Sequence, residues 1–306
     1  MNFLKNRNNL ILLSVFFGLF IDIVAFLNKK FISFFINVSF FVLILLTFLK
    51  INFEELKKIK RFFKPVLLIF VFDYLIFPLL ILFLVKFKVL SIELAIPLLF
   101  LILAPSAISS IYLVSLVKGN KEESLVIVLF THLIFLFVLP VIISIYSIFL
   151  GETSIKVKKI IELIIVFLFL PITLAYFLQK SGKLSFLYKN KEIIDNFLYT
   201  LLLIIIFVVV SLNFSQLSKN PLDYLIEIML IIIYFLVYFF ITTVFFKEKK
   251  EERTVLLEFT YKNYIIAFIL LSNFNNKFLI LPIIYVIMAN IFLFIYLNYF
   301  EKKGKF

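Results

Sequence analysis

Three charged residues lie inside long apolar segments of this sequence: Asp73, Glu258 and Lys262. A charge held in hydrocarbon costs about 2.5–3.5 kcal/mol even on a lenient insertion scale, so the three must find partners or water. Glu258 and Lys262 are spaced i, i+4, which on a continuous helix places them on one face in the favourable order for an ion pair. Two interpretations follow: a structural ion pair, or a functional ion or proton site. Because intramembrane ionisable groups are usually functional, the second is favoured.

Hydroxyl groups form a second set of candidate residues. The candidate oxygen ligands are Ser106, Ser109, Ser110 and Ser124. Hard cations bind oxygen donors, so these hydroxyls are suited to an alkali cation. The alternative for each serine is a hydrogen bond back to its own helix. Pro105 and Asn263 join the candidate site by position alone.

Membrane helices must position these residues. The chain is 64% hydrophobic, whereas soluble domains are close to half apolar. Its apolar runs reach about 18 residues or more, the length that crosses ~30 Å of hydrocarbon as a helix. The sequence therefore predicts an all-α polytopic membrane protein. The ten predicted helices are 9–27, 31–49, 65–85, 92–117, 124–149, 157–178, 193–214, 221–246, 253–273 and 278–299.

The positions of the basic residues predict the orientation. Of the 31 Lys and Arg residues, 21 fall in the two termini and the loops on their side of the predicted helices. By the positive-inside rule, we expect both termini in the cytoplasm and the chain in the inner membrane. The net charge of +13 is thereby attributed to topology rather than to nucleic-acid binding. The N-terminal apolar stretch, which contains Asp22, is interpreted as the first membrane helix rather than a cleaved signal.

Ten helices divide into two sets of five, with the division near Gly151. An odd number per half reverses the second half, so we predict an inverted repeat of residues 1–150 and 151–306. The fourth helix of each half is unusual. Predicted helix 4 is interrupted at 104–110, and predicted helix 9 carries several polar residues between Glu258 and Asn263. Broken or polar helices at matching positions indicate a transporter's central site.

Other kinds of site find little support. The chain has no Cys and one His, which excludes thiolate chemistry and leaves little for a transition-metal site. We predict no cofactor beyond a coupling ion. His132 would either relay protons or form a hydrogen bond between helices.

Short motifs recur in order along the chain. Around predicted helices 4 and 5 they are Pro105-Ser106-Ala107, Ser110-Ile111, Lys118-Gly119-Asn120 and Ser124. Around predicted helices 9 and 10 they are Arg253-Thr254, Glu258 to Asn263, Pro282 and Asn290. In predicted helix 3, Asp73 stands five residues before Pro78. With these motifs the chain resembles the bile acid:sodium symporter family.

The resemblance implies a core domain of helices 3–5 and 8–10 and a panel domain of helices 1, 2, 6 and 7. Helices 4 and 9 would cross at their breaks, and two sodium ions would bind around the crossing. The implied activity is secondary transport of a small organic anion by alternating access. The residues expected to contact substrate or coupling ion are Asp73, Pro105, Ser106, Ser109, Glu258, Lys262, Asn263 and Asn290.

The chain departs from the family at the sodium ligands. One implied site retains Ser110, Ser124 and Glu258, while Ile111 and Val128 replace an Asn and a Thr. At the other implied site, two Gln positions hold Asp73 and Lys262. We hypothesise that the Lys262 ammonium occupies the place of the second sodium ion, held by Asp73 and Glu258. The coupling ion would then be a single sodium ion or a proton.

Several alternatives remain. A degenerate or sensor-type relative would explain the lost sodium ligands. An efflux carrier of related architecture is a further reading, although carriers of the arsenite type use a thiol that this chain lacks. An intramembrane enzyme such as a protease or prenyltransferase is disfavoured. Glu251-Glu252 is followed directly by Arg253, the wrong spacing for a Glu-Glu-x-x-x-Arg motif, and no Asp-x-x-x-Asp motif occurs. The sequence does not determine the substrate, the direction of transport or the oligomeric state.

Overall fold

The computed structural model describes residues 10, 13–18, 20, 28–50, 53–150, 157–181, 191–212, 224–272, 274 and 276–303. In this part of the chain the regular structure is helical, with one isolated β-bridge between Ser106 and Lys262. The predicted all-α class is confirmed. Most of the first predicted helix, 9–27, with Asp22, lies outside the described residues, although residues 13–18 are helical.

Eleven helices, labelled α1 to α11, are assigned within the described residues. They are α1 (Lys29–Phe48), α2 (Phe63–Lys86), α3 (Ile92–Leu103), α4 (Ser110–Leu116), α5 (Lys121–Leu150), α6 (Val157–Lys180), α7 (Lys191–Leu212), α8 (Leu225–Phe245), α9 (Lys249–Thr260), α10 (Tyr264–Ser272) and α11 (Ile280–Lys303). Short 3₁₀ segments, Phe53–Lys60 and Asn276–Leu279, precede α2 and α11. Predicted helices 4 and 9 are each broken in two, as α3–α4 and α9–α10.

Seven helices within the described residues are long and apolar enough to cross a membrane. Their outward faces carry large apolar side chains, such as Phe137 at 68% exposure and Phe240 at 67%. Such surfaces suit a lipid environment, in which helices satisfy their own backbone hydrogen bonds. The chain is therefore a multi-pass membrane protein. The total of ten crossings stays a prediction.

The chain packs into two compact units. The first comprises Met1–Phe53, Ser154–Pro221 and Phe268–Leu279. Within it α1 packs against α6 and α7, and the Gln179 side chain donates to the Phe48 carbonyl at 2.9 Å. The division at residue 150 into two repeats stays a prediction.

The second unit comprises Glu54–Thr153, Leu222–Ala267 and Ile280–Phe306. It contains α2 to α5, α8, α9 and α11, together with all the candidate site residues. Here α9 packs against α8, α5 and α4. This packing brings residues that are distant in sequence to the two helix breaks.

Proline accounts for irregular turns in α2 and α6. Each helix contains one turn of π-helix, Phe72–Ile76 and Ile165–Phe169, and each turn ends two residues before a proline, Pro78 or Pro171. A proline cannot donate to the carbonyl four residues earlier and its ring crowds that carbonyl. Such π turns recur at functional sites, and the one in α2 carries Asp73.

Candidate ion site at two helix breaks

The chain leaves the helix at Ala104 because Pro105 follows it. A residue before proline is pushed out of the helical region, and Ala104 has φ −53° and ψ 137°. The second break, 261–263 between α9 and α10, contains no proline or glycine. Tyr261 at its start has φ −114° and ψ 77°.

The two breaks are joined to each other through their backbones. The Ala107 N–H donates to the Tyr261 carbonyl at 2.9 Å, and the Asn263 N–H donates to the Pro105 carbonyl at 2.7 Å. These bonds flank the antiparallel bridge between Ser106 and Lys262. Each irregular segment thus supplies hydrogen-bond partners that the other has lost.

Side-chain hydroxyls donate hydrogen bonds to the carbonyls in the last turn of α9. The last carbonyls of a helix lack partners within the helix. The Ser106 hydroxyl donates to the Glu258 carbonyl at 2.9 Å. The Tyr234 hydroxyl donates to the Phe259 carbonyl at 2.5 Å.

Tyr285 on α11 serves both sides of the second break. Its hydroxyl donates to the Thr260 carbonyl at 2.7 Å and accepts from the Lys262 backbone N–H at 2.8 Å. One side chain therefore satisfies the last carbonyl of α9 and a freed N–H two residues later. The break is held in a defined conformation by partners on α8 and α11.

Three residues form a buried oxygen cluster, here named the serine cage: Ser110, Ser124 and Glu258. The Ser110 hydroxyl lies 2.8 Å from both carboxylate oxygens of Glu258. The Ser124 hydroxyl donates to Oε1 of Glu258 at 2.5 Å. All three side chains are fully buried. The serine cage gathers residues from α4, α5 and α9.

The serine cage fits an alkali cation in the chemistry of its donors. Two hydroxyls and a carboxylate are the hard oxygen ligands that such cations prefer. Side-chain oxygens are missing at Ile111 and at Val128, whose carbonyl already accepts from Thr131 Oγ1 at 3.0 Å and bonds His132 Nδ1 at 2.8 Å. Among the described residues no group of three or more His, Cys, Asp or Glu side chains is placed to hold a metal ion.

The second charged cluster is an ion pair between Lys262 and Asp73. The Lys262 ammonium binds Oδ2 of Asp73, and both side chains are fully buried. The Tyr238 hydroxyl donates to the other carboxylate oxygen, Oδ1. Each oxygen of Asp73 thus has a donor, and the predicted approach of Asp73 to Lys262 is present.

The expected pairing of Lys262 with Glu258 along one helical face is wrong. The i, i+4 geometry requires a continuous helix, but α9 ends at Thr260. Lys262 lies in the break and its ammonium turns to Asp73 on α2. The Glu258 carboxylate instead accepts hydrogen bonds from the serine hydroxyls.

His132 belongs to α5 and contacts the second break through Asn263. Its Nδ1 is 2.8 Å from the Val128 carbonyl, which only accepts, so Nδ1 carries the hydrogen. Nε2 is then the acceptor for Asn263 Nδ2 at 3.4 Å. His132 was predicted either to relay protons or to form a hydrogen bond between helices. The contact with Asn263 matches the second role, since it joins α5 to the segment between α9 and α10.

The other predicted residues differ in position. Ser106 is fully buried against the Glu258 carbonyl, whereas Ser109 is exposed at the start of α4, outside the serine cage. Asn290 is buried in α11, where its Nδ2 donates back to the Val286 carbonyl at 2.7 Å. Contacts of these residues with substrate or ion stay predictions.

The turn between α4 and α5 is fastened to α9. The Asn120 N–H donates to Thr254 Oγ1 at 2.8 Å, and Arg253 Nη1 donates to the Val117 carbonyl at 3.2 Å. A Cβ added to Gly119 would lie 2.8 Å from Thr254 Oγ1. The two sequence motifs, Lys118-Gly119-Asn120 and Arg253-Thr254, therefore form one contact that orients the serine cage.

The tyrosines around the break were not predicted from the sequence. Tyr234 and Tyr238 are spaced i, i+4 in α8, whose other residues are largely apolar, and both reach polar groups of the site. A buried tyrosine hydroxyl usually has a hydrogen-bond partner. Two tyrosines on one face of an apolar helix therefore indicate polar groups beside that face. Thr131, whose Oγ1 accepts from the Ser106 N–H at 3.1 Å, carried no such signal.

A family model described as "Sodium Bile acid symporter family" matches residues 37–220 of the chain. The match covers more than half of the 306 residues. It includes Asp73, Ser110 and Ser124 and ends before Glu258 and Lys262. No curated protein gives a match.

Proposed function

The chain belongs to the Sodium Bile acid symporter family, and on that premise we propose that it carries a small organic anion with Lys262 in place of one coupling sodium ion. Membership of this family implies a membrane transporter of the bile acid:sodium symporter type. The fully buried ion pair of Lys262 with Asp73 supports the replacement of a sodium ion by Lys262.

The charges of the site support a single mobile cation. Lys262 and Asp73 neutralise each other, so the carboxylate of Glu258 remains as the uncompensated charge of the two clusters. A buried charge is stable only when it is paired and hydrogen-bonded. The serine hydroxyls supply the hydrogen bonds, and one sodium ion in the serine cage would supply the pairing.

Each residue has a part in this proposal. Ser110, Ser124 and Glu258 would hold the sodium ion. Tyr238 would keep Asp73 directed at Lys262. Asn263, with His132 behind it, would face the organic anion at the break.

Transport would proceed by alternating access around the two breaks. Irregular backbone at membrane depth is tolerated where it lines a cavity enclosed by protein, and carriers built from inverted repeats place their sites at such breaks. We further propose ten crossings arranged as a five-plus-five inverted repeat in the inner membrane, with both termini in the cytoplasm, because the basic residues favour that orientation.

A sensor-type role is the second candidate. It is favoured by the apolar residues Ile111 and Val128, at positions where the family resemblance gives side-chain oxygen ligands. A sensor would bind the anion without releasing it on the other side. Binding and flux therefore need separate measurements.

The test is uptake into proteoliposomes. Carboxylates and sulfonates are first screened for binding by the rise in thermal midpoint that a ligand of the folded state produces. Uptake of each bound anion is then measured with an inward sodium or potassium gradient. We expect sodium-dependent flux that Glu258→Gln abolishes and Glu122→Gln retains, since Glu122 is exposed and paired with Arg61 at 3.3 Å. Binding without flux under any gradient would refute transport and favour the sensor.

A further inference from the structure

Glu123, in the first turn of α5, is fully buried, and its carboxylate accepts no hydrogen bond from the described residues. The next residue, Ser124, donates to Glu258 Oε1 at 2.5 Å, so Glu123 lies one residue from the serine cage. An isolated buried carboxylate is strongly disfavoured. Such a group is stable only when a proton neutralises it or a cation pairs with it.

The charged groups that act on Glu123 lie along α9, from its N-cap residue Glu248 to Glu258 near its C-terminal end. Its carboxylate interacts electrostatically with those of Glu251, Glu258 and Glu248, and with the ammonium of Lys250. These acids differ in depth: Glu248 is exposed, Glu251 is half-buried, and Glu123 and Glu258 are buried. The four carboxylates therefore range in depth from the surface to the serine cage.

Three cations near these acids pair with other carboxylates. Lys249 pairs with Glu252 at 2.6 Å. Lys58 and Arg61 pair at 3.7 and 3.3 Å with Glu122, which precedes Glu123 in the first turn of α5. Within the described residues no ion pair with Glu123 is formed, so the buried carboxylate has no fixed counter-ion of its own.

We propose that Glu123 is a cation-binding residue in its own right, a transit site through which an alkali cation passes between the surface end of α9 and the serine cage. Several carboxylates close together in surroundings of low dielectric constant raise the local concentration of cations. A transit site must also bind weakly enough to release the ion, which suits a carboxylate without fixed hydroxyl ligands. The passage to the cage rests on the proposed function, whereas binding at Glu123 does not.

The test uses radioactive sodium binding to the purified full-length protein. The wild type is expected to show a tight component from the serine cage and a weak component from Glu123. Glu123→Gln should lose the weak component and release the tightly bound ion more slowly. The adjacent Glu122→Gln, an exposed glutamate, should behave as the wild type. Glu123→Leu provides a second variant if the amide alters folding, which thermal midpoints will report.

Glu258→Gln separates the two proposals. It should abolish the tight component and leave the weak one. A weak component that depends on Glu123, without any tight component in the wild type, would overturn the serine cage and the passage to it but uphold cation binding at Glu123. Sodium binding and release that are equal in Glu123→Gln and Glu122→Gln would overturn the transit site, as would an absence of sodium binding in the wild type.

Discussion

At the residue scale, the chemistry depends on how Asp73 and Lys262 share one buried environment. Breaking a buried pair by removing one partner leaves an uncompensated charge, which destabilises by about 3–5 kcal/mol. Replacing both partners by neutral groups is far less harmful for the same reason. The pair is therefore expected to be strongly coupled in stability.

We predict that Lys262→Gln and Asp73→Gln each destabilise the protein by about 3–5 kcal/mol, and that the double variant recovers most of the loss. Thermal and denaturant unfolding in detergent will measure the cycle. A matched control is Lys57→Gln, since Lys57 pairs with Glu54 at side-chain exposures of 77% and 67%. Such surface pairs contribute about 0–1 kcal/mol. Additive single effects would show that the two charges do not depend on each other.

Residue types alone predicted part of this site. Asp73, Glu258 and Lys262 were marked by their charge within apolar segments. Their partners were not, because the i, i+4 rule assumes a helix that continues past Thr260. Glu123 was overlooked because it stands beside Glu122 and Lys121, in a segment that looks like a solvated helix start.

At the element scale, the turn between α4 and α5 determines how the serine cage is presented. Lys118 has a positive φ of 57°, a conformation that costs a residue with a Cβ about 1–2 kcal/mol. Gly119 beside it has no positive φ, but it lies too close to α4 and α9 for a side chain. Glycine would therefore suit both positions: at 118 for its tolerance of a positive φ, and at 119 for its lack of a Cβ.

We predict opposite effects of substitutions at these two positions. Gly119→Ala should destabilise by about 1–3 kcal/mol through overpacking, since the new Cβ would lie 2.7 Å from Val114 Cγ1 and 2.8 Å from Thr254 Oγ1. Lys118→Gly should leave stability unchanged or raise it by up to about 1 kcal/mol, because it relieves the left-handed backbone. Thermal midpoints of the two variants will check the signs. A neutral Gly119→Ala would show that the turn is not fastened closely to α9.

The two breaks differ in how far the sequence could reveal them. Pro105 marks the first, because a residue before proline leaves the helical region. The second has only a polar run, Thr260 to Asn263, and its conformation depends on Ser106, Tyr234 and Tyr285 from other helices. Those contacts are tertiary, so local sequence patterns predict the break only as a polar interruption.

At the scale of the whole molecule, hydropathy was sufficient for the class of protein and for most helix positions. Apolar runs locate spans because each must cover the hydrocarbon thickness. How segments from both halves of the chain assemble into compact units depends on packing that no single run contains. The serine cage is an example, since its ligands come from three helices that are separated by up to 148 residues.

Counting the sodium ions that stabilise the protein shows whether Lys262 replaces one of them. Thermal stability is measured against sodium concentration, with potassium at equal ionic strength as the control. A bound ligand stabilises by RT ln(1 + [L]/Kd), about 2.7 kcal/mol at a hundredfold excess over Kd. At concentrations above Kd, the stabilisation free energy rises by RT per bound ion for each unit of the natural logarithm of sodium concentration. Its slope divided by RT therefore gives the number of ions bound.

Over the sodium concentrations that fill the serine cage but not the weaker site proposed at Glu123, we predict a slope of one sodium ion for the wild type and a steeper slope, approaching two, for Asp73→Gln/Lys262→Gln, in which neutral amides replace the tethered ammonium and its carboxylate. A slope of two in the wild type over this range, or in Glu123→Gln, would contradict the replacement of a sodium ion by Lys262. Equal slopes in the two proteins, or no sodium-specific stabilisation in either, would contradict it as well.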